Sequence, residues 1–513
     1  MHGRLKVKTT AQQQEEKRKE REKKVKIFTG AMKQIFTQRG NDELMDSTLQ
    51  LTQQILASNP DVYTLWNIRK EIFVKKLEVV EDIDKLLLEE LDFLQNCLQV
   101  NPKSYGVWNH RMFTMLKMKT PNWPRELKLC NLFLQYDERN FHCWDYRRFV
   151  VRESKVPAEE ELNYTTEKIK ENFSNYSSWH NRSKLLPQVF PDESGKVKEE
   201  ELLKEFELVQ NAFFTDPNDQ SAWFYQRWLL GRRKEETRLL SLIIKRTSKT
   251  LVASFSQPVK KCDLCESCSK SGEETLLIWK PLAPTQSNVS HTWVSEINLQ
   301  TDESSMISVV FPTITADRSF SLEILETQDS AQLSWEKDFR DESNLFSDTH
   351  TEAKTFVLEN ELEACQILLE EEPDNKWTML TIVYLMKALD GIKHAEAIAG
   401  MIDKLMETDP MRKGYYQHLR SKFNLENKLQ HIYNEKGSIK ELDLSNQSLI
   451  TVNRLEYLST CEKLNLSQNN ITNFDFIQSL PLLKSIYLSN NNAISSINVD
   501  ELSDKFPGLI VTV

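Results

Sequence analysis

Four side chains stand where they could serve phosphate chemistry. Lys103, Tyr105, Arg139 and His142 lie in two turns that lead into helices, within NPKSYGVW (101–108) and DERNFHCW (137–144). A helix N-terminus presents unbonded N–H groups and the positive end of the helix dipole, and so attracts anions. A lysine ammonium and a tyrosine hydroxyl beside such an end supply the donors that a phosphate needs. The same charges also read as ordinary solvated groups at a turn. Residue type alone leaves both readings open.

What positions these residues is a repeat. NPDVYTLWNIR (59–69), NPKSYGVWNHR (101–111), DERNFHCWDYR (137–147), NFSNYSSWHNR (172–182) and DPNDQSAWFYQR (216–227) share one frame. Each holds Asn or Asp seven residues before Trp66, Trp108, Trp144, Trp179 or Trp223, and these tryptophans are spaced 42, 36, 35 and 44 residues apart. Such periods mean stacked supersecondary units, each too small to bury its own apolar face. The Asn-Pro or Asp-Pro turn closes the preceding helix. Asp61, Ser104, Asn140, Asn175 and Asp219 are the expected N-caps of the next. Tyr63, Tyr105, Phe141 and Tyr176 fall three residues before the Trp and share its helical face, so both are expected to pack against the neighbouring helix. Arg69, Arg111, Arg147 and Arg182 follow one turn later and need carboxylate or carbonyl partners if buried. A feature present in every unit serves stacking. Chemistry belongs where the units differ, and Lys103, Arg139 and His142 are such differences. In the fifth unit Gln226 stands in place of the arginine.

The 513 residues imply two to four domains. A net charge of −10 supplies no basic excess for nucleic acid. No apolar run is long enough to span a membrane, and the charged N-terminus lacks the apolar core of a secretory signal. Eight scattered cysteines read as free thiols in a reducing compartment, the cytosol. There is no P-loop, G-x-S-x-G, HExxH or dinucleotide-binding turn, and 12 glycines leave little room for one.

The organisation in chain order is a polar segment (1–26), helical repeats (27–240), an inserted β-sandwich (241–350), resumed helical repeats (351–432) and a leucine-rich repeat (436–513). EEKRKEREKK (15–24) interleaves opposite charges, as in a solvated helix. His2 is a mobile-tail imidazole that could reach a metal on a partner; a plain chain end is the simpler reading. An apolar stripe starts at Ile27, Met32, Ile35 and Phe36. Helices are expected over Leu86–Leu98, Leu127–Leu134 and Leu202–Phe214. Strands are expected over Leu251–Ser256, Thr275–Trp279, Thr292–Leu299, Met306–Phe311 and Phe320–Leu325. Cys262, Cys265 and Cys268 have metal-ligand spacing but no evident fourth ligand, so loop thiols are favoured and no metal is assigned to this chain. EEPDNKWTML and TDPMRKGYY begin two degenerate repeats, with Pro373 four residues before Trp377. IKELDLSNQ, CEKLNLSQN and LKSIYLSNN recur at a period of 22, a leucine-rich repeat whose Asn469 and Asn491 ladder with backbone. So short a piece is expected to lean on the helical domain or on a partner. The fold class is multidomain and mainly α: a right-handed solenoid of helical hairpins forming a crescent, with an immunoglobulin-like sandwich insert and a leucine-rich tail.

The unit N-P-x-x-Y-x-x-W-x-x-R resembles the repeat of the prenyltransferase α-subunit family. MHGRLKVKT, ERNFHCWDYRRF, NFSNYSSWH and VQNAFFTDPNDQSAWFY resemble its type II branch, which serves Rab GTPases. The resemblance implies a heterodimer with a β subunit that carries Zn²⁺ and most of the lipid pocket. It implies transfer of geranylgeranyl from its diphosphate to C-terminal cysteines of a Rab GTPase, presented by a Rab escort protein that docks on the α subunit. In related α subunits the Lys and Tyr of the second repeat's turn face the diphosphate. The matching positions are Lys103 and Tyr105, the catalytic candidates. His142 fills the family's Y/F-H-x-W position as a substrate-binding candidate, and Arg139 is added on charge alone. Two other readings stand beside this one. The first is a helical-repeat scaffold without chemistry, and the second is the α subunit shared by farnesyltransferase and the type I enzyme. The β insert and leucine-rich tail speak against the second.

Overall fold

A computed structural model describes residues 11–41, 46–193, 195, 197–230, 237–282, 287–298, 304–311, 319–334, 352–436, 439–491, 506 and 508–513. His2, the whole MHGRLKVKT segment and the 350/351 boundary lie outside them. The chain divides into two compact units, Met1–Lys198 and Glu199–Val513.

The first unit is helical. α1 (Ala11–Gly40), α2 (Asp46–Ser58), α3 (Tyr63–Leu77), α4 (Ile83–Val100), α5 (Tyr105–Lys117), α6 (Trp123–Tyr136), α7 (Phe141–Ser154), α8 (Ala158–Glu171) and α9 (Tyr176–Val189) follow one another. The charged stretch of α1 is the expected solvated helix, with Arg18–Glu15 at 2.8 Å and Lys24–Glu20 at 2.6 Å. Its apolar stripe is narrower than expected: Ile35 is buried and Met32 packs on the core, while Ile27 and Phe36 are exposed.

One bond explains the repeat's spacing. In each unit the Trp indole N–H donates to the carbonyl six residues earlier: Trp66 to Pro60 (2.8 Å), Trp108 to Pro102 (2.8 Å), Trp144 to Glu138 (2.8 Å) and Trp179 to Phe173 (2.6 Å). The next unit's cap residue donates to three of the same carbonyls: Ser104 Oγ to Pro60 (3.0 Å), Asn140 Nδ2 to Pro102 (2.9 Å) and Asn175 Nδ2 to Glu138 (3.1 Å). A single oxygen thus closes its own turn and staples the following repeat. Asn140 and Asn175 also cap α7 and α9 through Oδ1. Ser104 does not cap α5, because its hydroxyl is spent on Pro60, and α3 opens after Val62, so Asp61 is not its cap.

The arginines find the carboxylates their burial requires. Arg111 forks onto Glu126 at 2.6 and 2.7 Å and reaches Leu91 O at 3.0 Å. Arg69 pairs with Glu90, and Arg147 with Glu161, in the same manner. Burial favours the neutral carboxyl of Glu90, but Arg69 and the His110 hydrogen bond override it and bring its pKa down to about 2. Arg182 turns to Leu162 O and the hydroxyls of Thr165 and Thr166.

The second unit continues with α10 (Glu199–Thr215) and α11 (Gln220–Leu230), where Trp223 donates to Pro217 O at 2.9 Å. Two antiparallel sheets follow. One has the order β5 (Lys280–Pro281), β6 (Val289–Glu296), β2 (Thr250–Lys260), β1 (Leu239–Lys245), β9 (Ser330–Ser334). The other runs β4 (Glu273–Leu276), β3 (Ser267–Lys270), β7 (Ser305–Val310), β8 (Ser319–Ile324). Leu242, Phe255 and Trp293 of the first share one core with Ile307, Val309 and Leu322 of the second, which makes a sandwich. Cys268 faces that core while Cys262 is exposed. Among the described residues no group of three or more His, Cys, Asp or Glu could hold a metal.

Helices resume as α12 (Glu352–Glu371), α13 (Lys376–Asp390), α14 (Ala395–Thr408) and α15 (Lys413–Lys436). Asn375 caps α13 and donates to Pro217 O at 3.0 Å, the same staple as in the first unit. Trp377 sits too early in the helix to fill the Trp place; buried Met379 lies four residues after the cap instead. The parallel strands β10 (Glu441–Asp443), β11 (Lys463–Asn465), β12 (Ser485–Tyr487) and β13 (Ile510–Thr512) form the leucine-rich segment. Asn469 Nδ2 reaches Leu444 O and Asn491 Nδ2 reaches Leu466 O, each at 2.8 Å. The segment leans on its neighbours: its core includes Leu425 and Leu429 of α15 and Leu240 of β1. No helix among the described residues is long and apolar enough to cross a membrane.

Where the fifth arginine is missing, the joint is built differently. Gln226 Nε2 donates to Glu361 Oε2 at 2.5 Å, Gln210 Nε2 donates to Oε1, and Gln226 Oε1 is buried with no partner among the described residues. With amides in place of a guanidinium, burial pushes the Glu361 carboxyl up to about 7, against the two hydrogen bonds. A carboxyl held protonated in the fold contributes its full stability below its ordinary range and loses it as pH rises toward 7. The loss amounts to about 3 kcal/mol. Glu361→Gln is therefore expected to flatten the stability profile between pH 5 and 8 and to exceed the parent at pH 8. Urea unfolding at both pH values checks this.

Candidate functional site

The second and third turns come together in the first unit. α5 opens with Lys103, Ser104 and Tyr105 at its mouth, and α7 opens beside it with Arg139, Asn140, Phe141 and His142. Asn101 Oδ1 accepts the Lys103 N–H at 3.0 Å, and Asp137 Oδ1 accepts the Arg139 N–H at 3.1 Å, so both turns are fixed by a side chain at their first residue. Asn140 Oδ1 accepts the His142 and Cys143 N–H groups at 3.2 and 3.3 Å.

Three of the four candidates lie side by side. The Tyr105 ring stands edge-on to His142 with centroids 4.2 Å apart, and Phe141 lies 6.2 Å from Tyr105. Lys103 Nζ is 2.9 Å from Asp137 Oδ2, on the neighbouring turn. Tyr105 is 68% exposed and the Lys103 side chain 61%, so both present their polar ends to solvent. His142 is buried beneath them. Burial lowers its pKa, Asp145 opposes this, and Lys103 adds to it, so the imidazole is neutral at pH 7. Arg139 differs: its guanidinium donates to Ser174 Oγ at 2.8 Å, toward the fourth turn. It is a rung between repeats rather than a neighbour of Tyr105. The arrangement offers an ammonium, a phenol and a neutral imidazole around one exposed patch, a donor set suited to an anion.

The aromatic position departs from expectation. Tyr63, Tyr105, Phe141 and Tyr176 are exposed, while the tryptophans three residues on are buried. The Trp indole is held at the turn carbonyl, whereas the aromatic of the first turn stays exposed even where, as at Tyr105, it touches the neighbouring helix. The position two before the Trp instead meets the preceding repeat. A Cβ on Gly106 would lie 2.4 Å from Trp66 Cδ1, so only glycine fits there, and His142 at the same place meets Tyr105. Sequence reasoning missed Phe141 and Asp137 as parts of the patch. Their signal was present, since both lie within the third turn, but each was read as a frame residue.

Comparison with known proteins decides the family. Residues 45–75, 87–118, 123–154, 158–189 and 202–233 match the protein prenyltransferase alpha subunit repeat, and residues 459–503 match leucine-rich repeats. A Bos taurus protein named geranylgeranyl transferase type-2 subunit alpha is 42% identical over 97% of this chain and 88% of its own length. This chain belongs to the geranylgeranyl transferase type-2 α-subunit family. The Homo sapiens member is also 42% identical, over 97% of this chain and 88% of its own. The Schizosaccharomyces pombe member is 35% identical over 47% of this chain and 75% of its own, so family members differ in how much of this chain they share. In this α subunit the second and third matched repeats contain the whole Lys103–Tyr105–His142 patch.

Proposed function

We propose that this chain is the α subunit of a heterodimeric geranylgeranyltransferase that acts in the cytosol and is active only with its β subunit. The enzyme transfers geranylgeranyl from geranylgeranyl diphosphate to C-terminal cysteines of Rab GTPases. A Rab escort protein presents the substrate and docks on the α subunit. The observation that carries this reading is the juxtaposition of Lys103, Tyr105 and His142 across two repeats of a family member.

Prenyl transfer to a thiol breaks the bond between the prenyl carbon and the diphosphate oxygen while the sulfur bonds that carbon. Negative charge grows on the leaving oxygen. Lys103 Nζ and the Tyr105 hydroxyl meet it as preorganised donors, and His142 supports the Tyr105 ring from below. The family resemblance places Zn²⁺ on the β subunit, where it would lower the pKa of the acceptor thiol and supply a thiolate nucleophile. Arg139 is assigned a lesser part in substrate binding, through the shape of the third turn.

The reading is tested by co-expressing this chain with a type II β subunit and following geranylgeranyl transfer to a Rab with and without escort protein. Transfer that requires both chains and the escort protein is expected. A stable heterodimer without transfer would favour a scaffold, a role to which the Arg139–Ser174 and Lys103–Asp137 contacts between repeats are also suited.

A further inference from the structure

One side chain opens each signature turn, and its chemistry varies while its job does not. Asn59, Asn101, Asp137, Asn172 and Asp216 accept the N–H two residues on at 3.3, 3.0, 3.1, 2.9 and 3.0 Å. A single oxygen does this work, and an amide supplies it as well as a carboxylate. Three of the five turns use the neutral amide. At residue 137 the carboxylate leaves a second oxygen over, and that oxygen is the one 2.9 Å from Lys103 Nζ.

The neighbouring rungs are paired differently. From the first turn to the second, Asn101 Nδ2 donates to Asp61 Oδ2 at 2.8 Å, an amide to a carboxylate. From the third to the fourth, Arg139 meets the Ser174 hydroxyl and Asn172 meets Glu138. Between the second and third, the opening residue's own carboxylate is paired with an ammonium. That ammonium is the one beside Tyr105 and His142.

We infer that Asp137 is the internal counter-ion of Lys103: it occupies the ammonium in the empty enzyme, yields it to the diphosphate, and reclaims it when inorganic diphosphate leaves. This deepens the proposed function and rests on the role given there to Lys103. The Asp137 side chain is part-exposed and Lys103 more so, so the pair is screened and readily exchanged. A diphosphate carries more negative charge than one carboxylate and wins the ammonium when it is present. Asp137 therefore tunes affinity for the leaving group. It positions Lys103 and touches no reacting atom.

The test is Asp137→Asn in the full heterodimer, with inorganic diphosphate as the probe and Lys103→Met measured in parallel. Asparagine serves the same turn in the first, second and fourth repeats, so the variant keeps its fold, and an unchanged thermal midpoint verifies this. The inhibition constant of inorganic diphosphate and the KM for geranylgeranyl diphosphate are both expected to fall three- to tenfold, with a steeper dependence on salt. A structural rung alone would move neither constant selectively. If Lys103→Met raises the inhibition constant while Asp137→Asn leaves it unchanged or raises it, the counter-ion role is overturned and the Lys103 role stands. If Lys103→Met leaves both the inhibition constant and turnover unchanged, the diphosphate reading itself falls, and this inference with it.

Discussion

Lys103→Ala is expected to lower turnover of the heterodimer about a hundredfold, in line with the cost of removing one preorganised donor from a developing anion. The physical case for so large an effect at so exposed a residue rests on what the lysine does not do for the fold. Its ion pair with Asp137 is part-exposed and screened by solvent, and such pairs contribute about 0–1 kcal/mol. Its backbone N–H is held by Asn101 whatever the side chain. Stability and subunit association should therefore be nearly unchanged, and the loss should appear in chemistry. The β subunit must cover the patch for the full effect, because an ammonium in open water stabilises an anion weakly and a desolvated one strongly. Tyr105→Phe separates hydroxyl from ring: it keeps the edge contact on His142 and removes only the donor. Steady-state and single-turnover rates decide the matter. A Lys103→Ala enzyme within twofold of the parent would withdraw the diphosphate role from this residue.

The helical frame was legible because its cause is local. A Trp that bonds the carbonyl six residues earlier requires a turn at that spacing, so NP-to-W distances write the fold into the sequence. The leucine-rich segment was legible for the same reason, since Asn469 and Asn491 bond backbone one strand away. What failed was whatever depends on distant partners. β1, LLSLIIK, is apolar apart from Ser241 and the terminal Lys245 and does not alternate, so periodicity cannot tell it from a buried helix. β9 pairs with β1 from far along the chain and was not anticipated. Gln226 was noticed as an exception, but its partner Glu361 lies across the whole insert. At the site, the repeat frame put Lys103 in a turn and Tyr105 and His142 at the openings of two neighbouring helices, where the structure has them. It gave no sign that Arg139 turns toward Ser174, because a guanidinium's direction is set by the neighbouring repeat. The error over Tyr105 and Phe141 has the same origin. Shared helical phase with a buried Trp implied burial, but Tyr105 and Phe141 meet each other and His142 at the solvent-exposed mouth of the two helices.

Trp108→Ala should destabilise the first unit by about 3–5 kcal/mol, the usual cost of deleting a large buried aromatic. Trp108 is 4% exposed and packs on Phe133 and Tyr146 with ring centroids 5.8 and 5.1 Å away. The cavity would open beside a buried charge network. Tyr146 donates to Glu126 at 2.6 Å, and Glu126 holds Arg111. A shift of Tyr146 into the void would draw its hydroxyl off that carboxylate, which is why the upper end of the range is expected. Domain stabilities of about 5–15 kcal/mol leave little margin for such a loss. Trp108→Phe distinguishes packing from hydrogen bonding. It keeps most of the ring contact and leaves Pro102 O with Asn140 as its remaining donor, so about 1 kcal/mol is expected. Urea unfolding of the heterodimer measures both. The same carbonyl ties the Lys103 turn to the His142 helix, so Trp108→Ala should also lose transfer activity, but in proportion to unfolded protein. That proportionality separates it from Lys103→Ala, where activity falls while the folded fraction stays constant.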